Sequence, residues 1–147
     1  MPEGKGRKTE SNGDFYHGEW KNGLEEGKGT YWETKGTLYY GDWLEGKRHG
    51  KGVETTEYNK VKYDGEFIEN EKTGHGSLIY SDGHYIGNFV RGEFNGKGEY
   101  AFKDANGEHY KKYQGDFERN KMTGLGKMTN ADETYYEGQF YDGTFEG

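Results

Sequence analysis

Tyr39-Tyr40-Gly41-Asp42-Trp43-Leu44-Glu45-Gly46-Lys47-Arg48-His49-Gly50-Lys51-Gly52 is the segment that decides the fold. Tyr39, Gly41 and Trp43 stand at every second position, and so do Gly50 and Gly52, which is the two-residue period of a strand. Gly46 lies between the two runs, among charged residues, where the chain can take the positive φ of a tight turn. The segment reads as two strands joined by a hairpin.

The pattern recurs along the chain. Tyr16-His17-Gly18-Glu19-Trp20, Tyr63-Asp64-Gly65-Glu66-Phe67, Tyr85-Ile86-Gly87-Asn88-Phe89, Tyr113-Gln114-Gly115-Asp116-Phe117 and Tyr136-Glu137-Gly138-Gln139-Phe140 repeat its first half, with central glycines 23, 24, 22, 28 and 23 residues apart. Nine residues after each central glycine stands another: Gly27, Gly50, Gly74, Gly96, Gly124 and Gly147. In the first five units a further glycine follows two later. The turn column holds only glycine or asparagine, at Gly23, Gly46, Asn70, Gly92, Asn120 and Gly143. These are the two residues that most readily accept positive φ. A repeat of this kind predicts five full units starting near 15, 38, 62, 84 and 110, and a partial sixth from 135, so that residues 15–147 form one array.

A two-residue turn in this column pairs the central glycine with the first of the later two, Gly18 with Gly27 for example, and sets each tyrosine opposite the second. The ring then covers a residue without a side chain. A bulge would move that register. Lys35-Gly36, Asp82-Gly83 and Asn106-Gly107 are expected to turn the chain between units, so that consecutive hairpins join one antiparallel sheet of about eleven strands, roughly 50 Å long and twisted or curved. The extra length of the fourth unit falls near residues 106–112, as an elongated hairpin or a protruding loop. Residues 1–14 are polar and are expected to form a tail or an extension of the first strand.

The Tyr-x-Gly-x-Trp/Phe and Gly-x-Gly columns, at a spacing of about 23 residues, resemble the MORN (membrane occupation and recognition nexus) repeat. The resemblance covers Phe15 to Gly147 and implies an all-β fold, an elongated, curved, single-layer sheet of tandem hairpins without significant helix. It also implies a binding or scaffolding module: arrays of this family serve in ciliary radial spokes and the axoneme, in parasite cytoskeletons and at membrane junctions, and are attached to lipid kinases or a lysine methyltransferase. The expected location is therefore the cytoplasm, at the cytoskeleton or in a cilium or flagellum.

Composition agrees with a single-layer design. At 29% hydrophobic residues and a mean hydropathy of −1.32 the chain is poor material for a two-layer core, yet 17% aromatic residues is far from a disordered composition. There is no cysteine, and so neither a disulfide nor a thiolate site. A net charge of −7 without a basic stripe argues against binding nucleic acid through its phosphates. The first residues lack the apolar run of a signal peptide, and no stretch of 18 apolar residues occurs.

No pattern of catalytic residues emerges. His17, His49, His75, His84 and His109 fall in different columns with no metal-ligand spacing. Gly27-Lys28-Gly29-Thr30 lacks the order and the following helix of a phosphate loop. The acidic residues near Asp82 and Asp104 lack the spacing of a calcium loop, and Ser11, Ser77 and Ser81 have no base in register. The chain is expected to be non-enzymatic and without cofactor or metal.

Two surfaces are candidates for binding. The aromatic columns are expected to leave a wet groove along the sheet, in which a partner helix or extended peptide lies across Tyr39, Trp43, Tyr63, Phe67, Tyr85 and Phe89, with Trp43 as the leading anchor. The alternative is a peripheral membrane adaptor meeting anionic phospholipids through Lys28, Lys51 and Lys97. Against it stand Glu19, Asp42, Glu66 and Asp116, expected diagonal to the lysines on one face. A further alternative is the targeting domain of a larger enzyme. The sixth unit stops at half a hairpin, so either the natural chain continues past Gly147 or its open edge is used in self-association.

Overall fold

The computed structural model describes residues 4–58, 60–103 and 110–145. They form one open antiparallel sheet of thirteen strands in sequence order. The strands are β1 (Gly4–Thr9), β2 (Phe15–Lys21), β3 (Leu24–Trp32), β4 (Thr37–Leu44), β5 (Lys47–Thr56), β6 (Val61–Ile68) and β7 (Glu71–Tyr80). They continue with β8 (Gly83–Val90), β9 (Glu93–Lys103), β10 (Tyr110–Glu118), β11 (Lys121–Thr129), β12 (Tyr135–Tyr141) and β13 (Thr144–Phe145). No helix occurs among the described residues.

Each repeat is a hairpin closed by two residues that both have positive φ: Asn22-Gly23, Glu45-Gly46, Glu69-Asn70, Arg91-Gly92, Arg119-Asn120 and Asp142-Gly143. This is the type I′ turn, whose twist matches that of the strands it joins. From the second unit on, the second turn residue also donates its N–H to the preceding hairpin, as Gly46 does to the Glu25 carbonyl at 2.9 Å and Asn70 to the Arg48 carbonyl at 2.9 Å. Asparagine adds a return bond, since Asn70 Oδ1 accepts the Arg48 N–H at 2.9 Å and Asn120 Oδ1 the Phe94 N–H at 2.8 Å. The turns therefore link hairpin to hairpin as well as strand to strand.

The register inside the hairpin differs from the expected one. Next to the turn the pairs are as predicted, Lys21 with Leu24 and Trp20 with Glu25, but Gly18 then pairs with Gly29 instead of Gly27. A bulge in the second strand absorbs the difference, and Gly27, at φ 88°, takes the left-handed conformation the bulge needs. The same shift occurs after Gly41, Gly65, Gly87 and Gly115. Between hairpins no shift follows, and Gly29 pairs with Gly41. An unbroken ladder of glycines therefore crosses twelve strands, from Gly6 through Gly18, Gly29, Gly41, Gly52, Gly65, Gly76, Gly87, Gly98, Gly115 and Gly126 to Gly138.

Further differences concern the connections and the ends. Tyr80 pairs with Gly83, so the link there is Ser81-Asp82, and Gly83 belongs to the strand, where a Cβ would meet the Ala101 carbonyl oxygen. Gly36, at φ 102°, closes the loop 33–37. Asn106-Gly107 lies outside the described residues, although pairing of Tyr110 with Lys103 shows this hairpin longer at its strand ends. Where a tail or an extension of the first strand was expected, Gly4 to Thr9 form a separate strand, β1, paired antiparallel with β2. Gly4-Lys5-Gly6 repeats the second-strand signature Gly27-Lys28-Gly29, and Gly4 shares its positive φ of 79°. β1 is thus the second half of a unit.

Candidate protein-binding face

Alternation along the strands puts tyrosine, glycine and Trp/Phe on one side of the sheet, here called the inner face. Each tyrosine ring lies across the glycine ladder. A Cβ on Gly52 would stand 2.4 Å from a ring carbon of Tyr39, and one on Gly29 within 2.5 Å of the Tyr16 ring. The ring reaches the second glycine diagonally across the bulged register, whereas direct opposition was expected. Every hydroxyl then donates to the carbonyl three residues on: Tyr39 to Asp42 at 2.7 Å, Tyr63 to Glu66 at 2.7 Å and Tyr85 to Asn88 at 2.7 Å. That carbonyl sits at the bulge, where the ladder is broken, and the phenol supplies the missing donor. Desolvation pushes the Tyr85 phenol up to about 12, and burial raises Tyr39 and Tyr63 in the same direction.

The larger rings lock neighbouring units together. Trp43 meets Tyr39 of its own unit edge-on at 5.3 Å and Tyr16 of the previous one at 5.1 Å. Phe67 meets Tyr63 and Tyr39 in the same way, and Phe89 meets Tyr85 and Tyr63. The herringbone runs from Trp20 to Tyr136 with interplanar angles of 80–89°. Edge-to-face contact is the arrangement that the ring quadrupole favours.

This packing corrects the expectation of a wet groove lined by the nominated rings. Tyr39, Trp43, Tyr63, Phe67, Tyr85 and Phe89 are all brought onto one face, but each is 7% exposed or less and belongs to the core. What overlies them comes from the second strands, which sequence reasoning passed over. Arg48 places its guanidinium carbon 5.6 Å from the Tyr39 ring centre and 5.9 Å from that of Phe67, and Lys72 sets Nζ 5.5 Å from Tyr63. Glu54 bridges the two cations, at 3.0 Å to Arg48 and 2.9 Å to Lys72. One unit later the same column carries Phe94, stacked on Tyr85 at 3.8 Å with planes 5° apart. Leu78, Tyr100, Phe102 and Met122 are likewise half-buried against the core. The face is charged where Arg48, Glu54 and Lys72 gather and apolar from Leu78 through Phe94 and Tyr100 to Met122. Counting by twos from each turn finds this column, but its chemistry changes from unit to unit, so it does not stand out as a repeat.

The lysines lie on the other face. Lys28 faces Asp42 directly, Lys51 faces Glu66 and Lys97 faces Asp116, opposite each other and not diagonal, because the register between hairpins carries no shift. Lys28 forms an ion pair with Asp42, and Lys97 with Asp116 at 2.8 Å. Each acid also supports its own hairpin: Asp42 accepts the Lys51 N–H at 3.0 Å and Glu19 the Lys28 N–H at 2.6 Å, across the bulge. Burial disfavours the Asp42 charge, but the Lys28 ammonium and the Lys51 amide outweigh it and hold the carboxyl below its ordinary range. Two of the three nominated lysines are therefore engaged in the sheet. A cavity of about 650 Å³, lined by Trp32, Leu38, Thr55 and Lys62 among others, contains none of the nominated residues.

A single-layer sheet of Tyr-x-Gly-x-Trp/Phe hairpins held by a glycine ladder defines a class of tandem-repeat protein. The MORN repeat profile matches residues 16–37, 39–56, 63–84, 85–106, 113–135 and 136–147. The chain belongs to the MORN repeat family. A comparison with curated proteins gives no match. Among the described residues no helix is long and apolar enough to cross a membrane.

Proposed function

We propose that this chain is a non-enzymatic scaffold that holds a helix or extended peptide of a partner protein against its inner face, in a cytoskeletal or ciliary assembly. The observation that carries this reading is the second-strand layer: Leu78, Phe94, Tyr100 and Met122 stay half-exposed on a floor of interlocked rings. Anchors already held in place lose little entropy on binding. The nominated rings Tyr39, Trp43, Tyr63, Phe67, Tyr85 and Phe89 act as that floor, and the partner touches the layer above it. The cytoskeletal setting comes from the family.

The test begins with partners recovered from native cells and continues with the purified partner. Phe94→Glu and Leu78→Glu should each weaken binding by about 2 kcal/mol or more, as measured by calorimetry, while Lys97→Gln on the other face leaves it within about 0.5 kcal/mol. Equal loss from all three, or loss from Lys97→Gln alone together with sedimentation on anionic vesicles, would favour the phospholipid adaptor.

A further inference from the structure

We propose that a pocket on the inner face, between the first and second units, takes the lysine or arginine side chain of a bound partner segment, with Trp43 and Tyr31 against its stem and Glu25 and Glu33 around its charge. This rests on the reading that a partner segment lies on the inner face, and it fixes the chemistry of one end of that segment. The template for such a site is inside the chain. Opposite the Trp or Phe of each unit the second strand carries, in turn, Glu25, Arg48, Lys72, Phe94 and Met122. In the second unit that residue is a cation: Arg48 lies over the rings of Tyr39 and Phe67 and is anchored by Glu54 at 3.0 Å. In the third it is Lys72, over Tyr63 and 2.9 Å from Glu54. In the fourth it is Phe94, stacked on Tyr85. A cation or an offset ring suits the negative face of an aromatic ring.

The first unit departs from this rule. Its rings are Tyr16 and Trp43, edge-to-face at 5.1 Å as Tyr39 and Phe67 are. The residue in the Arg48 position is Glu25, whose charge has the sign that ring faces disfavour. Glu25 is half-buried and makes no ion pair among the described residues. Burial and the Glu25 charge push the Tyr16 phenol up. The first unit therefore has the rings and the carboxylate of the second without its cation.

In the cation's place is a cavity of about 280 Å³, lined by Trp43, Tyr31, Glu25, Glu33 and Glu10 among others. Arg48 also lines it, but its guanidinium is engaged by Glu54 and the next pair of rings. Glu10 and Glu33 have only the loose company of Lys8 and Lys35, at 3.2 and 3.5 Å on the solvent side. The Tyr31 hydroxyl donates to Asp14 at 3.1 Å, so this residue offers the pocket its ring. Among the described residues no group of acids converges closely enough to hold a metal ion, and the cavity is smaller than most small-molecule sites. One long basic side chain fits both the size and the charge. Phe94 on β9 lies five strands from Trp43 on β4, about 24 Å away at roughly 4.8 Å per strand. The basic residue and the apolar residues that meet Phe94 are thus separated by about seven residues in an extended segment, or about sixteen in a helix. Arg48 and Lys72 repel a second basic residue from the stretch between.

The pocket can be tested without the partner. Nα-acetyl-lysinamide or Nα-acetyl-argininamide, titrated to about 50 mM, should shift the Trp43 indole N–H resonance saturably, with a Kd of about a few millimolar. Trp43→Phe identifies that resonance among the three tryptophans. Nα-acetyl-norleucinamide, which keeps the stem and lacks the charge, should give no saturable shift. Glu25→Gln should weaken the lysine probe by about fivefold or more, and Glu25→Arg, which gives the first unit the residue of the second, should abolish its binding. Lys97→Gln on the other face should leave it unchanged. Unfolding midpoints check the fold of each variant, and Glu33→Gln replaces Glu25→Gln if the latter is destabilised. Equal shifts with norleucinamide, no saturable shift with either cation, or binding indifferent to Glu25→Arg overturns the proposal. With the purified partner, binding lost in Phe94→Glu but unchanged in Glu25→Gln overturns the pocket and keeps the scaffold reading. A partner indifferent to Leu78→Glu and Phe94→Glu, with the lysine probe still bound at Trp43, overturns the scaffold reading and keeps the pocket.

Discussion

At the scale of single residues, glycine serves two separate purposes, and substitution should tell them apart. Gly46, at φ 83°, has no atom closer than 3.7 Å to where a Cβ would stand, so its constraint is conformational. Gly46→Val should cost about 1 to 3 kcal/mol in chemical denaturation, against less than about 0.5 kcal/mol for Lys51→Gln. Gly52 has ordinary extended backbone but a Tyr39 ring carbon 2.4 Å from where its Cβ would go. Gly52→Ala should therefore destabilise by overpacking, by about 2 kcal/mol or more, and a conformationally neutral result would refute the ring-on-glycine assignment. Trp43→Ala removes a buried ring that joins two units and should cost about 3 to 5 kcal/mol, so its first effect is on the unfolding midpoint and not on partner binding.

At the scale of the hairpin, the turn and the bulge can each be tested. Asn70→Gly preserves the positive φ and removes the bond from Arg48, so the loss should be about 0.5 to 1.5 kcal/mol, with an Asn70→Ala variant losing more because the left-handed conformation is then strained as well. The Asp42 carboxyl has a folded pKa below its unfolded value of about 3.9, so its contribution is present above that pH and fades as the pH falls through the folded pKa. The Lys28 ammonium is shifted up by its hydrogen bond and attraction to Asp42, so its share is present at neutral pH and is lost as the pH rises through the raised pKa. Wild type should accordingly be slightly more stable than Asp42→Asn at neutral pH, since the pair is exposed, and the two should converge in acid. Denaturation curves that stay parallel down to about pH 2 would show that the pair carries no such linkage.

At the scale of the whole molecule, units touch only their neighbours through the strand ladder and the herringbone, and stability is a sum of local terms. Hydrogen exchange should be slowest in β6 to β9, which lie furthest from both edges of the sheet, and faster toward β1 and β13. Uniform protection along the chain would mean that the array opens only as a block. Binding a partner on the inner face should extend the slow region to the strands it covers.

The period-two columns, the turn positions and the pairing of hairpins into one sheet follow from local chemistry, which each unit repeats: alternation, positive φ and the absence of a side chain. The sequence therefore determined the fold class and the position of the turn inside each repeat. It did not determine the register inside the hairpin, because Gly27 and its equivalents look like further strand glycines until their positive φ shows a bulge. That shift aligns the glycines into one ladder, brings each tyrosine diagonally over its neighbour and lets the Trp/Phe rings meet tyrosines of two units. Burial of Tyr39, Trp43, Tyr63, Phe67, Tyr85 and Phe89 is a consequence of contacts between hairpins, which no single repeat contains. The tertiary structure alone decided that these rings are the floor of the inner face, and that Arg48, Glu54, Lys72, Leu78, Phe94 and Tyr100 lie above them.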